Sequence, residues 1–95
     1  MKGYVVCVYK SISNEEKLNE YAVKAKAAVE KYRGTFLIRG GRSTSNEGDK
    51  SPRTVVIEFP SYNEANSFYR SNEYQDAHSI LKGFAERHHQ TIEGV

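Results

Sequence analysis

The chain alternates between short segments rich in β-branched and aromatic residues and longer segments with apolar residues every three or four positions. The short segments predict four strands: Gly3 to Tyr9, Phe36 to Arg42, Arg53 to Phe59 and roughly His88 to Glu93. The longer segments predict an amphipathic helix that ends at Gly34 and a second helical region that Ser71-Asn72 interrupts. Phe84 continues the spacing of apolar residues at every third or fourth position in that second region. The order of elements is therefore βαββαβ.

Both predicted helices begin with the pattern of a capping box, a Ser followed three residues later by a Glu. Ser13 with Glu16 opens the first helix, and Ser61 with Glu64 opens the second. The polar segment Ser43 to Pro52 predicts a loop between the second and third strands.

This order predicts an α+β fold of the ferredoxin-like type. One four-stranded antiparallel sheet carries the helices on one face, and the first and third strands are central. Residues 1–95 form a single domain without a linker or an internal repeat.

The face of the sheet that the helices leave open predicts self-association. The first strand is largely apolar on both faces, with Tyr4, Val6 and Val8 on one face and Val5, Cys7 and Tyr9 on the other. A strand of this kind is expected to be covered on both faces, and the chain has no third layer to offer. We therefore predict a homodimer in which sheet face packs against sheet face, since two-fold dimers are the commonest homo-oligomers.

Arg39 is a charged residue within a predicted strand, "FLIRGG", and it needs a partner. If the second and third strands pair around Glu47-Gly48, Arg39 lies opposite Glu58 on the face turned to the dimer partner. Phe36 and Ile38 then face the helices. Arg39 and Glu58 would form a cross-strand ion pair in a partly dry space between the two sheets.

Composition and charge exclude several classes of protein. A formal net charge of +2, from 14 basic and 12 acidic residues, is too even for a nucleic-acid or membrane-surface protein. The third strand also lacks the Gly-aromatic pattern of RNA-recognition modules. A single cysteine, Cys7, rules out an intrachain disulfide and favours a reducing compartment. No apolar segment is long enough to span a membrane and the start does not resemble a signal peptide, so a soluble cytoplasmic protein is expected.

The segment "IEFPSYNEANSFYRSNEYQ", together with Arg39-Gly40-Gly41 and the closing Glu93-Gly94, resembles the DUF1330 family from end to end. That family is mostly bacterial and belongs to the dimeric α/β-barrel superfamily. The resemblance implies a ferredoxin-like protomer whose two sheets form a barrel across the dimer. The superfamily includes monooxygenases, isomerases and haem proteins, which bind substrates between sheet and helices or in the barrel. One departure is Arg33, where the family frequently has glycine.

The candidate ligand-binding residues combine charged, phenolic and glycine positions: Arg39, Glu58, Gly40, Gly41, Tyr9, Tyr69 and Tyr74. Arg39 could hold a carboxylate or an enolate, and Glu58 with a raised pKa could transfer a proton. No metal site is predicted, because His88 and His89 point to opposite faces of a strand and no ligand spacing includes His78. No cofactor is predicted either.

Two interpretations of function remain. In the first, the dimer binds a small organic acid near Arg39 and acts on it without a cofactor. In the second, it is a non-catalytic structural or interaction module whose Arg39–Glu58 pair supports folding and assembly.

Overall fold

The structure is a computed structural model that describes residues 1–95. Its elements are β1 (Gly3–Ile12), α1 (Glu15–Lys31), β2 (Thr35–Arg39), β3 (Thr54–Phe59), α2 (Tyr62–Arg70), α3 (Asn72–Leu81) and β4 (Ala85–Glu93). The strands form one antiparallel sheet in the order β2-β3-β1-β4. The ferredoxin-like class predicted from the pattern of elements is confirmed, with β3 and β1 in the centre.

One hydrophobic core lies between the sheet and the three helices. Alternate residues of β1 and β3 point into it because successive side chains of a strand point to opposite faces. The buried strand residues are Val5, Cys7, Tyr9, Val55, Ile57 and Phe59. The helices cover them with Leu18, Tyr21, Ala25, Ala28, Val29, Ala65, Phe68, Tyr74, Ala77 and Leu81. The three- and four-residue spacing of these positions is what makes each helix amphipathic.

The helix starts follow the predicted caps with one correction. Ser61 accepts a hydrogen bond from the Glu64 backbone N–H as predicted, and Ser71 caps α3 by accepting from Tyr74 N–H. α1, however, is capped by Asn14, whose Oδ1 accepts from Lys17 N–H at 3.0 Å. Ser13 lies one residue before the cap position, and its N–H and its hydroxyl both donate to the Phe84 carbonyl.

Several predicted boundaries shift; β1, for instance, runs to Ile12 rather than Tyr9. Glycine conformation explains two of the other shifts. β2 ends at Arg39 rather than Arg42, since Gly40 and Gly41 adopt φ of +74° and +93° and cannot continue a strand. α3 ends at Leu81, and Gly83 with φ +91° turns the chain, so Phe84 lies outside the helix. β4 consequently begins at Ala85, three residues before the predicted His88.

The predicted register between β2 and β3 is wrong, and β2 in addition contains a bulge. Thr35, not Arg39, lies opposite Glu58, and the register shifts between Phe36 and Ile38. An extra residue in one strand reverses the alternation of faces beyond it. Ile38 therefore turns to the open face, opposite Val56, and Arg39 turns to the helix side, opposite Val55.

Arg33 is the only non-glycine residue with positive φ, at +63°. This left-handed conformation costs an L-residue about 1–2 kcal/mol, a cost that a glycine at this position would avoid. Here the Arg33 side chain forms an ion pair with Glu64 of α2.

The face of the sheet opposite the helices is uncovered and largely apolar. Ile38 and Ile92 are 46% and 48% exposed, and Val6, Val8 and Val56 are half-buried. None of the helices is long and apolar enough to cross a membrane.

Candidate functional site

A cavity opens between the helix-facing side of the sheet and the helices. The empty space within it is about 430 Å³, including the part that opens to solvent. Its apolar walls come from Val5, Ala22, Ala25, Val29, Phe36, Val55, Ile57 and Phe68. Its polar wall groups are three arginines, three tyrosines, one histidine and the Cys7 thiol. A mostly apolar hollow with a few convergent polar groups is the usual form of a small-molecule site.

The three arginines lie in a row that crosses one end of the sheet. Arg39 is at the end of β2, and Arg53 immediately precedes β3. Tyr9 of β1 lies between Arg53 and Arg87, because its N–H donates to the Arg53 carbonyl at 2.9 Å and it pairs with Arg87 of β4. The register thus brings residues from distant parts of the sequence to one end of the cavity.

Arg87 is the most enclosed of the three guanidinium groups, and its partners in the chain are all uncharged. Nη1 donates to Tyr21 Oη at 3.1 Å and Nη2 donates to Tyr74 Oη at 3.2 Å. The two hydroxyls are 3.0 Å apart and share a further hydrogen bond. The guanidinium carbon also lies 5.4 Å from the Tyr9 ring centroid and 5.3 Å from that of Tyr21, within the range of cation–π attraction.

Arg53 has a polar atom with no partner. Its Nε exposes less than 1 Å² and has no hydrogen-bond partner in the chain. Its guanidinium group extends toward β2, since a Cβ placed on Gly40 would lie 2.8 Å from Arg53 Nη1. The glycine at position 40 therefore makes room for the arginine as well as supplying positive φ.

Arg39 lies at the outer part of the cavity. Its Nη2 donates to the Ala22 carbonyl of α1 at 3.3 Å, and its guanidinium carbon is 4.5 Å from the Phe36 ring centroid. It is exposed overall, so it reaches the cavity from the solvent side.

No carboxylate offsets these charges. The cavity is lined by no Asp and no Glu. The four ion pairs of the chain all lie elsewhere: Lys2–Glu58, Lys17–Glu20, Lys31–Glu73 and Arg33–Glu64. Buried charges are ordinarily paired, because an unpaired charge in a poorly solvated site is costly.

The other titratable groups of the cavity are held uncharged. Burial raises the pKa of Tyr9 to about 12, and burial likewise raises the pKa of Tyr21 and Tyr74. Burial, reinforced by the charge of Arg87, lowers the pKa of His89 to about 3. The phenols therefore keep their protons and the imidazole is neutral near pH 7, which leaves the arginines as the charged groups of the cavity.

The structure brings some of the predicted site residues together and separates others. Arg39, Tyr9 and Tyr74 line the cavity. Tyr69 packs against Tyr74, with ring centroids 5.3 Å apart, but does not line it. Gly40 accommodates Arg53, whereas Gly41 has open space around it.

Glu58 lies on the other face of the sheet, and the predicted Arg39–Glu58 pair does not form. Its carboxylate accepts from Lys2 Nζ at 2.7 Å and from Tyr4 Oη at 3.3 Å. The hydrogen bond from Lys2 lowers the pKa of Glu58, so it does not have the raised pKa expected of a proton-transferring acid. Two features separate the residues: Glu58 lies opposite Thr35, four residues before Arg39 along β2, and the bulge at Leu37 turns Arg39 to the helix side.

Sequence reasoning missed Arg53, Arg87, Tyr21 and His89. Arg87 lies one residue before the predicted start of the last strand at His88. Had the strand been extended back to Ala85, the alternation would have placed Arg87 and His89 on one face and His88 on the other, as the pairing with β1 shows. No group of three or more His, Cys, Asp or Glu side chains is close enough together to hold a metal ion.

The fold and the cavity define a ferredoxin-like α+β domain with a partly open cleft between its sheet and its helices. The chain belongs to the DUF1330 family, whose model matches residues 2–95 and is described as a domain of unknown function. The resemblance of the sequence is thereby confirmed. A search of the curated proteins finds no significant match.

Solved structures share the fold at low sequence identity. A dimeric ferredoxin-like protein of unknown function from Jannaschia sp. CCS1 superposes with a TM-score of 0.79 at 11% identity, covering 99% of this chain and 100% of that one. A protein of unknown function from Rhodopseudomonas palustris gives 0.78 at 11% identity, covering 99% and 82%. A variant of SnoaB, a cofactor-independent oxygenase from Streptomyces nogalater, gives 0.62 at 14% identity, covering 98% and 92%.

Proposed function

We propose that this protein is a homodimeric domain that binds a small organic anion in the cavity between sheet and helices. The observation that carries the proposal is the presence of Arg39, Arg53 and Arg87 in a largely apolar cavity without any carboxylate. A chain that keeps such charges unpaired gains most when a ligand supplies the missing negative charge.

The chemistry of the walls defines the rest of the ligand. A carboxylate accepts charge-assisted hydrogen bonds from guanidinium groups, each worth about 1.5–3 kcal/mol when water is excluded. The aliphatic and aromatic walls favour a hydrocarbon body attached to that carboxylate. A purely inorganic anion would leave this apolar surface in contact with water and is the poorer fit.

The homodimer follows from the open face of the sheet. Tyr4, Val6, Val8, Val56 and Ile92 present an apolar surface that no element of this chain covers. The Jannaschia protein, which has the same fold, is described as dimeric. Packing of two such sheets would cover both surfaces and leave each cavity accessible from its helix side.

A cofactor-free reaction on the bound anion is the second candidate. The neutral imidazole of His89 and the protonated phenol of Tyr74 lie in the same cavity, with ring centroids 5.9 Å apart. Both pKa values are shifted away from neutral pH, so the two groups can hydrogen-bond a ligand but are a weak base and a weak acid. The similarity of the fold to SnoaB, a cofactor-independent oxygenase, supports a cofactor-free reaction by analogy.

Thermal unfolding and titration calorimetry with carboxylic acids and their primary amides test the binding function. The amide keeps the shape and removes the charge, so hexanoate and phenylbutyrate should raise the Tm and their amides should not. At a ligand concentration of a hundred times the Kd, the expected stabilisation is about 2.7 kcal/mol, or roughly 10 °C or more for a domain of this size.

Arg87→Met is the decisive variant, because methionine keeps the apolar stem and removes the charge. It should abolish the shift caused by the acids, whereas Arg42→Met, an equal change of net charge in the exposed loop, should preserve it. Equal shifts with acid and amide would contradict the proposal. A destabilised Arg87→Met protein, together with no response of the unaltered protein to any acid, would favour a purely structural module.

A further inference from the structure

We propose that the ligand is a dianion, a dicarboxylate with an apolar middle whose two acidic groups bind Arg87 and Arg53 separately. This rests on the proposed function and specifies the class of anion. Two guanidinium groups without carboxylates, directed to different parts of one cavity, carry the inference.

The inner binding position is formed by Arg87 with the hydroxyls of Tyr21 and Tyr74. Arg87 donates to both oxygens, so each hydroxyl must direct its own proton elsewhere. One of the two protons lies in the hydrogen bond between the hydroxyls, and the chain offers no acceptor for the other. A ligand oxygen that accepts this proton beside the positive charge of Arg87 would complete the arrangement.

The outer binding position is formed by Arg53. Its guanidinium group points toward Gly40 at the end of β2, while Arg87 points from β4 toward α1 and α3. Its Nε is enclosed and has no partner, although buried N–H groups are nearly always hydrogen-bonded. Arg39, on the adjoining strand, adds a second positive charge on this side.

The two positions begin on strands that are not adjacent in the sheet. Tyr9 lies between Arg53 and Arg87 in the sheet, so their backbones are separated by two interstrand spacings, roughly 10 Å. Arg53 extends toward β2, whereas Arg87 lies over β1, with its guanidinium carbon 5.4 Å from the Tyr9 ring centroid, and donates to the hydroxyls of the helices. A monoacid would leave one of the two cations unpaired, whereas a diacid with an apolar spacer would pair both.

Matched acids of equal carbon number test this inference by titration calorimetry. Adipate is compared with hexanoate, and suberate with octanoate, so that each pair differs by one carboxylate. At least one diacid should bind about tenfold or more tightly than its monoacid, which is the gain expected from one additional charge-assisted pair.

Variants then locate the second carboxylate. Arg53→Met should reduce the affinity for the diacid to the level of the monoacid and change monoacid binding by less than about threefold. Arg42→Met should preserve the preference for the diacid, because that side chain lies in the exposed loop.

The outcomes separate the two proposals. If monoacids bind as tightly as diacids, or if Arg53→Met leaves the preference intact, the dianion inference is overturned and the organic-anion function stands. If neither kind of acid binds, both are overturned.

Discussion

The two faces of the sheet carry charge in opposite ways. On the open face, the Glu58 carboxylate lies 2.7 Å from Lys2 Nζ and accepts a second hydrogen bond from Tyr4. On the helix face, Arg53 and Arg87 are more enclosed than Lys2 and have no carboxylate. The face that is partly exposed to water pairs its charges, and the face enclosed by protein leaves them unpaired.

This difference indicates what each face interacts with. An apolar surface whose few charges are neutralised within the chain can pack against another protein surface without leaving a charge unpaired. A cavity with unpaired cations is instead suited to a partner that brings negative charge. The comparison therefore supports the proposal of a second copy of the chain on the open face and an anion in the cavity.

Substitutions at two neighbouring residues of β1 test the assignment of the two faces of the sheet. The largest effect on stability is expected at Val5. Val5 is fully buried beneath the helices, and Val5→Lys would place an ammonium group in the core. We expect a loss of about 4 kcal/mol or more in the free energy of unfolding, comparable to the whole stability of many small domains. Circular dichroism and urea unfolding would measure it, and a folded variant of nearly unchanged stability would contradict the assignment of this face to the core.

Val6→Lys makes the same change one residue further along, on the open face. The protomer should stay folded, with a loss of about 1 kcal/mol or less, because the lysine reaches water. The dimer should dissociate at least about a hundredfold more readily, since two lysines would enter an interface of low polarity.

Sedimentation equilibrium of the Val6→Lys variant and of the unaltered protein measures the dissociation constant of the dimer in each case. The Val5→Lys and Val6→Lys variants have the same composition, so they serve as controls for each other. A Val6→Lys variant that associates as strongly as the unaltered chain would show that the open face is not the interface.

The strands, helices and layers could be predicted because they depend on local pattern. The spacing of Leu18, Ala25 and Val29 defines the buried side of α1, and the alternation of Val55, Ile57 and Phe59 defines that of β3. Each pattern repeats several times along its element. An error of one residue at an end therefore does not change the layer of the fold to which the element is assigned.

The site was harder to predict because it depends on register. The register itself differs from the predicted one, because Glu58 lies opposite Thr35 rather than Arg39. The bulge at Leu37, which apolar residues on both sides conceal, then turns Arg39 to the other face. Arg53 and Arg87 are brought to the same end of the sheet only by pairing with β1. Neither the bulge nor this pairing has a local signature in the sequence.

His89 provides the smallest effect and a test of the enclosed face through pH. Its pKa of about 3 in the folded protein lies below the ordinary value of about 6.5, chiefly through burial and then through Arg87. As the pH falls below 6.5, the unfolded chain takes up a proton that the folded chain does not. Stability is therefore complete above pH 6.5 and declines between pH 6.5 and 3.

His89→Gln removes this proton uptake. Between pH 6.5 and 4.5 the free energy of unfolding of the protein that retains His89 should fall by about 1–2 kcal/mol more than that of the variant. Urea unfolding at each pH measures the difference. His88→Gln is the matched control, since His88 is exposed on the opposite face of β4. Both are best made in the Val6→Lys background, in which association does not contribute to the measured stability. If the curves for His89→Gln and His88→Gln have the same slope, His89 is hydrated and the helix face is more open than its packing indicates.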